Sequence, residues 1–205
     1  MSDIAPVASR PRPGRPSTGA RERILEAGLE VLKAEGYAGL SIAKVAAVAG
    51  ENKALIGYHY GSKQGLVVAV GREVGDSITE AVVAGIGKAT SIESVVRGVI
   101  GAIWKVLDRD VRIARVYFDL TAVSVVEQQV REVMQEVRAG WRRVLAEMLR
   151  EAEPRMSAAA ARTAALLVHS GVEGLVLERL EAGDTTELRR ARALFIDSAV
   201  RTLSA

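Results

Sequence analysis

Cysteine is absent from the 205 residues. Its absence removes a disulfide framework, a thiolate nucleophile and any cysteine-based metal site. Histidine is nearly absent. With only His59 and His169, neither a metal-ligand spacing nor a nucleophile–base set can be assembled. No apolar run approaches the ~18 unbroken residues of a membrane span, because charges interrupt every hydrophobic stretch. The polar, proline-rich beginning has no apolar core of a secretory signal. Alternating strand patterns bounded by turns are missing too. A soluble, cytoplasmic, all-α protein is expected, with no cofactor, no metal and no membrane contact. An enzyme is not expected. The stretch "AGIGKAT" brushes against a phosphate-binding loop, but Val82 stands where its first glycine belongs and Ala89 follows the lysine. No strand precedes it either.

Charge is scarce as a net quantity, +3, yet it is unevenly placed. Residues 1–65 carry nine Lys/Arg against six Asp/Glu, and the remainder carries nineteen of each. The excess therefore sits in the first third, led by Arg10, Arg12, Arg15, Arg21 and Arg23. A local basic excess is the electrostatic footprint of a polyanion partner, and equally of a solvated tail. Residues 1–17 lack apolar periodicity and read as a flexible basic arm.

Beyond the arm the helical period dominates. A first helix spans about Thr18 to Glu35, stopped by Gly36. Ser41 caps a short helix from Ile42 to Ala49, which Gly50 breaks; Asn52 caps another, to about Tyr58. Ser62 caps a long helix to about Gly85, with Gly71 and Gly75 weakening its middle. Ser91 opens a helix that is apolar nearly all round, which predicts full burial. A helix follows over about Val111 to Thr121. Ser124 with Glu127 has the form of a capping box for a helix reaching Ala152. Ser157 begins the next, to about Ala182, and a last helix ends near Leu203. About nine helices result, three in a leading unit and six in a larger bundle.

Aromatic residues make up only 4% of the chain, yet "ENKALIGYHYGSKQGL" holds Tyr58, His59 and Tyr60 together, with Lys63 close behind. The two short helices before and within this stretch have the spacing of a helix-turn-helix. Ala46 is small where helices cross, Gly50 can take a left-handed turn, and Ile56 can lock the second helix down. Such a hairpin holds its second helix outward, toward a major groove.

From "RILEAGLEVLKAEGYAGLSIAKVAAVAG" through "ENKALIGYHYGSKQGL" the chain resembles the DNA-binding domain of the tetracycline-repressor (TetR) family. Gly36-Tyr37, Ser41, Ala46, Ala49-Gly50, His59-Tyr60, Ser62-Lys63 and Leu66 carry the likeness. The segment "LLVHSGVEGLVLERLEAGD" is similar to the C-terminal branch that includes the glycine-betaine pathway repressor. The resemblance implies a DNA-binding domain over 18–66 and an effector-binding and dimerisation domain over 67–205. The partners it implies are double-stranded operator DNA, a second copy of the chain and a small-molecule effector. Two positions depart from the family. Glu51 replaces the usual Val, and Gly57 replaces the usual phosphate-touching Tyr. Either Tyr58 takes over that contact or Gly57 lets the backbone approach the DNA.

On this resemblance Asn52, Lys53 and Ala54 are the groove candidates, with Lys53 suited to guanine or phosphate and Ala54 to a thymine methyl. Ser41 and Lys63 are phosphate candidates. A lysine in a first helical turn opposes the dipole, which argues for an external anion there. Tyr58 and His59 are further candidates, while Tyr60 suits the core. In the arm, "RPRPGRP" resembles the core of an AT-hook, and Arg12 and Arg15 suit a narrow minor groove. A plain tail remains the alternative.

In the larger unit Trp104, Tyr117, Phe118, Met134, Arg138, Trp141, His169 and Glu173 are effector-pocket candidates, with ordinary core as the competing reading of each. Gly171, Leu175, Leu188, Phe195 and Ala199 are candidates for a dimer interface of the last two helices. The expected function is a ligand-responsive DNA-binding regulator, a repressor by the family's usual mode. An architectural DNA binder without ligand control shares the same N-terminal chemistry.

Overall fold

The computed structural model describes residues 19–87 and 90–204; the arm with Arg12 and Arg15 lies outside them. Among the described residues there are nine α-helices and no strand: α1 (Ala20–Gly39), α2 (Ile42–Ala49), α3 (Lys53–Tyr60), α4 (Lys63–Ile86), α5 (Ile92–Arg109), α6 (Arg112–Val123), α7 (Gln128–Ala152), α8 (Ala158–Ala182) and α9 (Thr186–Leu203). Gly36, at φ 68°, kinks α1 three residues before its end, so the expected stop is a bend followed by one more turn.

Local chemistry explains most helix starts. Ser41, Asn52, Ser62, Ser157 and Thr185 each accept an N–H from the first turn of the helix they precede. Ser91 and Ser94 form a reciprocal capping box at α5. The box expected at Ser124 does not form. The Ser124 hydroxyl instead donates to the Thr121 carbonyl at 2.6 Å, and Arg131 reaches back to the carbonyls of Ser124 and Val125. These bonds stabilise a turn over 124–126, so α7 begins only at Gln128.

Two apolar clusters form the interior. One joins Ile24 and Val31 of α1, Val45 of α2, Ile56 of α3 and Leu66 and Val70 of α4 to Val116 and Leu120 of α6 and Val130 and Val133 of α7. The other lies among α5, the second half of α7, α8 and α9. Val82, Ile103 and Phe118 pack on both. The leading helices therefore share their core with three bundle helices.

One expectation about the bundle is corrected. Helix α5 is amphipathic. Glu93, Arg97 and Lys105 form an exposed edge, and Arg97 bonds Glu93 and Asp197 of α9. Gly75 is a close-packing position, whereas Gly71 makes only ordinary contacts with Leu120 and Val133. A Cβ at Gly75 would stand 2.8 Å from the Val137 methyls, so its absence lets α7 approach α4. The dimer candidates divide between buried and half-buried positions of the protomer. Leu188 and Ala199 are buried within the protomer, Leu175 and Phe195 pack on its core, and Gly171 makes room for the Phe195 ring. The large apolar residues that α8 and α9 leave exposed are Leu166, Leu167, Leu177 and Leu194.

Candidate nucleic-acid interface and internal cavity

The hairpin of α2 and α3 is built as its sequence requires. Gly50 takes the left-handed conformation, φ 65° and ψ 29°. Ala46 is buried at the crossing, and Ile56 is the one side chain of α3 that is fully buried. That single anchor contributes roughly 1.5–3 kcal/mol by removal from water. Tyr60 adds a second tie, its hydroxyl donating to the Arg21 carbonyl at 2.7 Å. The opposite face of α3 points outward. Lys53, Ala54 and Gly57 are exposed, and Tyr58 is 73% exposed with its ring edge against His59. A Cβ at Gly57 would meet nothing within 4 Å, so no contact within the chain demands glycine there.

The polar candidates have internal duties as well. Ser41 accepts the Lys44 N–H at 3.3 Å and Asn52 accepts the Leu55 N–H at 2.9 Å, so both act as caps. Lys63 donates to the Tyr37 carbonyl at 2.9 Å, and its ammonium stands 4.3 Å from the centre of the Tyr37 ring. The argument that this lysine requires an external anion therefore fails, because Tyr37 supplies the compensating oxygen and π face. Glu51, the departure in the turn, is bonded by Arg23 of α1. It ties the hairpin to α1 and carries a compensated charge. The Nε2 of His59 is buried with no hydrogen-bond partner.

The Gly36–Tyr37 corner is held from the other side. The Tyr37 N–H donates to Asp119 of α6 at 2.5 Å. Asp119, Tyr37 and Lys63 thus connect α6, α1 and α4 in one chain of contacts.

Two residues earlier on α6, Tyr117 faces a cavity of about 870 Å³, its mouth included. The cavity lies among α4, α5, α6, α7 and α8. Five of the eight candidates line it: Tyr117, Phe118, Trp141, His169 and Glu173. Three do not. Met134 is buried in the other core, and Trp104 lies beneath the guanidinium groups of Arg192 and Arg179, 4.7 and 5.6 Å away. Arg138 stands behind the wall, donating to the Tyr117 hydroxyl at 2.9 Å and pairing with Glu173 at 3.2 Å. The Tyr117 hydroxyl in turn bonds Glu173. Burial, foremost, pushes the Tyr117 phenol well above its ordinary value, keeping it a donor. Burial likewise lowers His169, against the pull of Glu173 and with the help of Arg142 and Arg138. The aliphatic walls, such as Ile78, Val82, Ile103 and Met148, escaped the sequence reading. Their spacing is that of any core residue, and no signal in the sequence separates a cavity wall from a filled one.

Comparison with known proteins bears on both ends of the molecule. A family model described as bacterial regulatory proteins of the tetR family matches residues 24–70. One described as the BetI-type transcriptional repressor, C-terminal, matches residues 93–204. No curated protein matches the chain. Among solved structures, a transcriptional regulator from Rhodococcus sp. Rha1 superposes with a TM-score of 0.75 at 18% identity, covering 89% of this chain and 96% of its own. The regulator FadR from Bacillus subtilis, in complex with stearoyl-CoA, gives 0.72 at 18% identity over 87% and 97%. The multidrug binding protein EbrR, complexed with imidazole, gives 0.70 at 22% identity over 90% and 91%. At these identities the likeness to solved structures carries the fold alone.

Proposed function

Since the chain belongs to the TetR family of transcriptional regulators, with a BetI-type C-terminal part, we propose that it is a homodimeric repressor released from its operator by a small molecule. One observation carries this reading: the leading unit that presents the recognition helix and the apolar cavity are both built on the same two helices, α4 and α6. Helix α4 begins at Lys63 beside the hairpin and reaches the cavity at Ile78; α6 faces the cavity with Tyr117 and holds the Tyr37 corner with Asp119. A molecule filling the cavity presses on both. Such coupling typically amounts to ~1–3 kcal/mol between the two sites.

On the DNA side the first turn of α3 enters the major groove, with Lys53 and Ala54 at base edges and the free amide N–H of Asn52 beside them. Ser41, Tyr58, His59 and Lys63 face the phosphates, and Gly57 leaves the backbone bare where the family's tyrosine would stand. Arg12 and Arg15 of the arm reach an adjoining minor groove. Two copies pair through the exposed leucines of α8 and α9, which sets two recognition helices about one DNA turn apart on a near-palindrome. Two of the structural neighbours, FadR and EbrR, were solved with small molecules bound, which supports a sensor over an architectural binder.

The test is to select bound fragments from genomic DNA, measure affinity and salt dependence on them, and determine the mass of the protein in solution. A dimer that holds a near-palindromic site is expected, and compounds that release the site identify the effector. A protein that stays monomeric and binds no duplex at low salt ends this reading.

A further inference from the structure

The polar groups that face the cavity are few, and nearly all are already engaged. The Thr79 hydroxyl and the Trp141 indole N–H both donate to the Gly75 carbonyl, at 2.8 and 3.1 Å. Tyr117 donates to Glu173, and Glu173 pairs with Arg138. One fully buried polar atom of the lining residues has no partner. The side chain of His169 is only 10% exposed, and its Nε2 is buried without a hydrogen-bond partner. The Glu173 oxygen stands 3.7 Å from it, beyond hydrogen-bond reach. A buried polar atom without a partner is costly, and a ligand that supplies one gains specifically from doing so.

Charge narrows the ligand further. The carboxylate of Glu173 is neutralised by Arg138, so it has no demand for a cation. The guanidinium of Arg138 is itself occupied by Tyr117, Thr121 and Glu173. Arg142 acts on His169 only from a distance, and it does not line the cavity. A charged head buried here would lose its water and find no uncommitted counter-charge. Apolar walls favour hydrocarbon for the rest.

Resting on the sensor reading above, we propose that the effector is an uncharged, largely hydrocarbon molecule with one hydrogen-bonding oxygen, which engages His169 Nε2. An alcohol suits either ring tautomer, since a hydroxyl both donates and accepts. Glu173, Arg138 and Tyr117 then hold the polar end of the cavity in shape without touching a charge on the ligand.

The test compares three probes of equal chain, decanol, decanoate and decyltrimethylammonium, by calorimetry on the full chain. Decanol is expected to bind at least about tenfold tighter than either ion, the factor that one mispaired head group commands. His169→Phe is expected to weaken decanol roughly tenfold while leaving the two ions unchanged. In the unaltered protein, nuclear magnetic resonance should show the His169 ring nitrogens shifting when decanol binds. This readout stands even where the variant folds poorly. Tighter binding of an ion, no binding of any probe, or a His169 signal that ignores bound decanol overturns the proposal. Release of the selected DNA is followed in parallel. Decanol that binds without releasing DNA leaves this assignment intact and removes the sensor reading instead. DNA binding that persists with no probe bound removes this assignment alone.

Discussion

The two apolar clusters are made of the same aliphatic residues, yet they are packed to opposite ends. Where α3 hands over to α4, one contact is tight and set by a missing atom. A Cβ at Gly65 would lie 2.0 Å from the Tyr60 carbonyl oxygen, so α3 hands over to α4 at the closest distance backbone allows. In the bundle, α4 to α8 part around open space, and the walls are large aliphatics that fail to meet. A recognition helix needs a fixed pose on its body, because misplacement by an ångström loses its contacts. A sensor needs volume. The contrast is between a close backbone approach beside the hairpin and a gap among side chains in the bundle, which elsewhere closes tightly at Gly75 and Gly171.

The strongest way to break the comparison is to add side-chain bulk to each region. Gly65→Ala forces a backbone carbonyl aside. It is expected to cost about 3 kcal/mol or more in a urea titration and to abolish DNA binding. Ala114→Leu adds a larger group at a residue that lines the cavity. The cost expected there is below about 1 kcal/mol, because space is available to receive it. Equal losses in the two variants would mean that the cavity is closed in solution.

Lys63 sharpens the boundary between fixing a pose and touching DNA. The ammonium has three donors, and Tyr37 takes one of them. Lys63→Ala is expected to weaken binding to every duplex about tenfold, to reduce the salt slope by about one, and to cost roughly 1 kcal/mol of stability. A stability loss with an unchanged salt slope would assign Lys63 wholly to the Tyr37 contact. Gly57 is the complementary case, a glycine that the fold does not need. Gly57→Ala is expected to raise stability by up to about 1 kcal/mol through helix propensity. Its DNA affinity should fall several-fold, by crowding an approaching phosphate. An unaltered affinity would leave Tyr58 as the substitute for the missing tyrosine contact.

These residues also mark what the sequence disclosed. Caps at Ser41, Asn52, Ser62, Ser91 and Ser157 and the left-handed Gly50 were legible because each acts within a turn of itself. Ser124 misled because a pattern of the capping-box type was outcompeted by Arg131, seven residues on, which fixes the preceding turn. The aromatic wall of the cavity was legible where Tyr117, Phe118 and Trp141 stand out in an aromatic-poor chain. Its aliphatic wall was not, and neither were the Tyr37 contacts with Lys63 and Asp119, which join residues far apart in sequence.

The smallest expected effect concerns the cavity side alone. His169 is buried with Glu173 beside it on α8, Arg138 and Arg142 on α7, and Tyr117 facing from α6. Burial is the largest influence, so the ring holds its proton less readily in the folded chain than its ordinary value of 6.5. The unfolded chain then binds more protons in mildly acid solution, and stability falls as protons are added. The contribution of the neutral ring is therefore complete above 6.5 and is lost as the pH drops through the lower folded value. Comparing wild type with His169→Phe isolates the contribution of this one ring. The stability difference between the two should shift against wild type on going from about pH 7.5 to about pH 5. A difference that stays constant across that range would mean His169 titrates alike folded and unfolded. The cavity end would then be wet, and the contrast between a dry sensor and an open reading face would lose its clearest chemical sign.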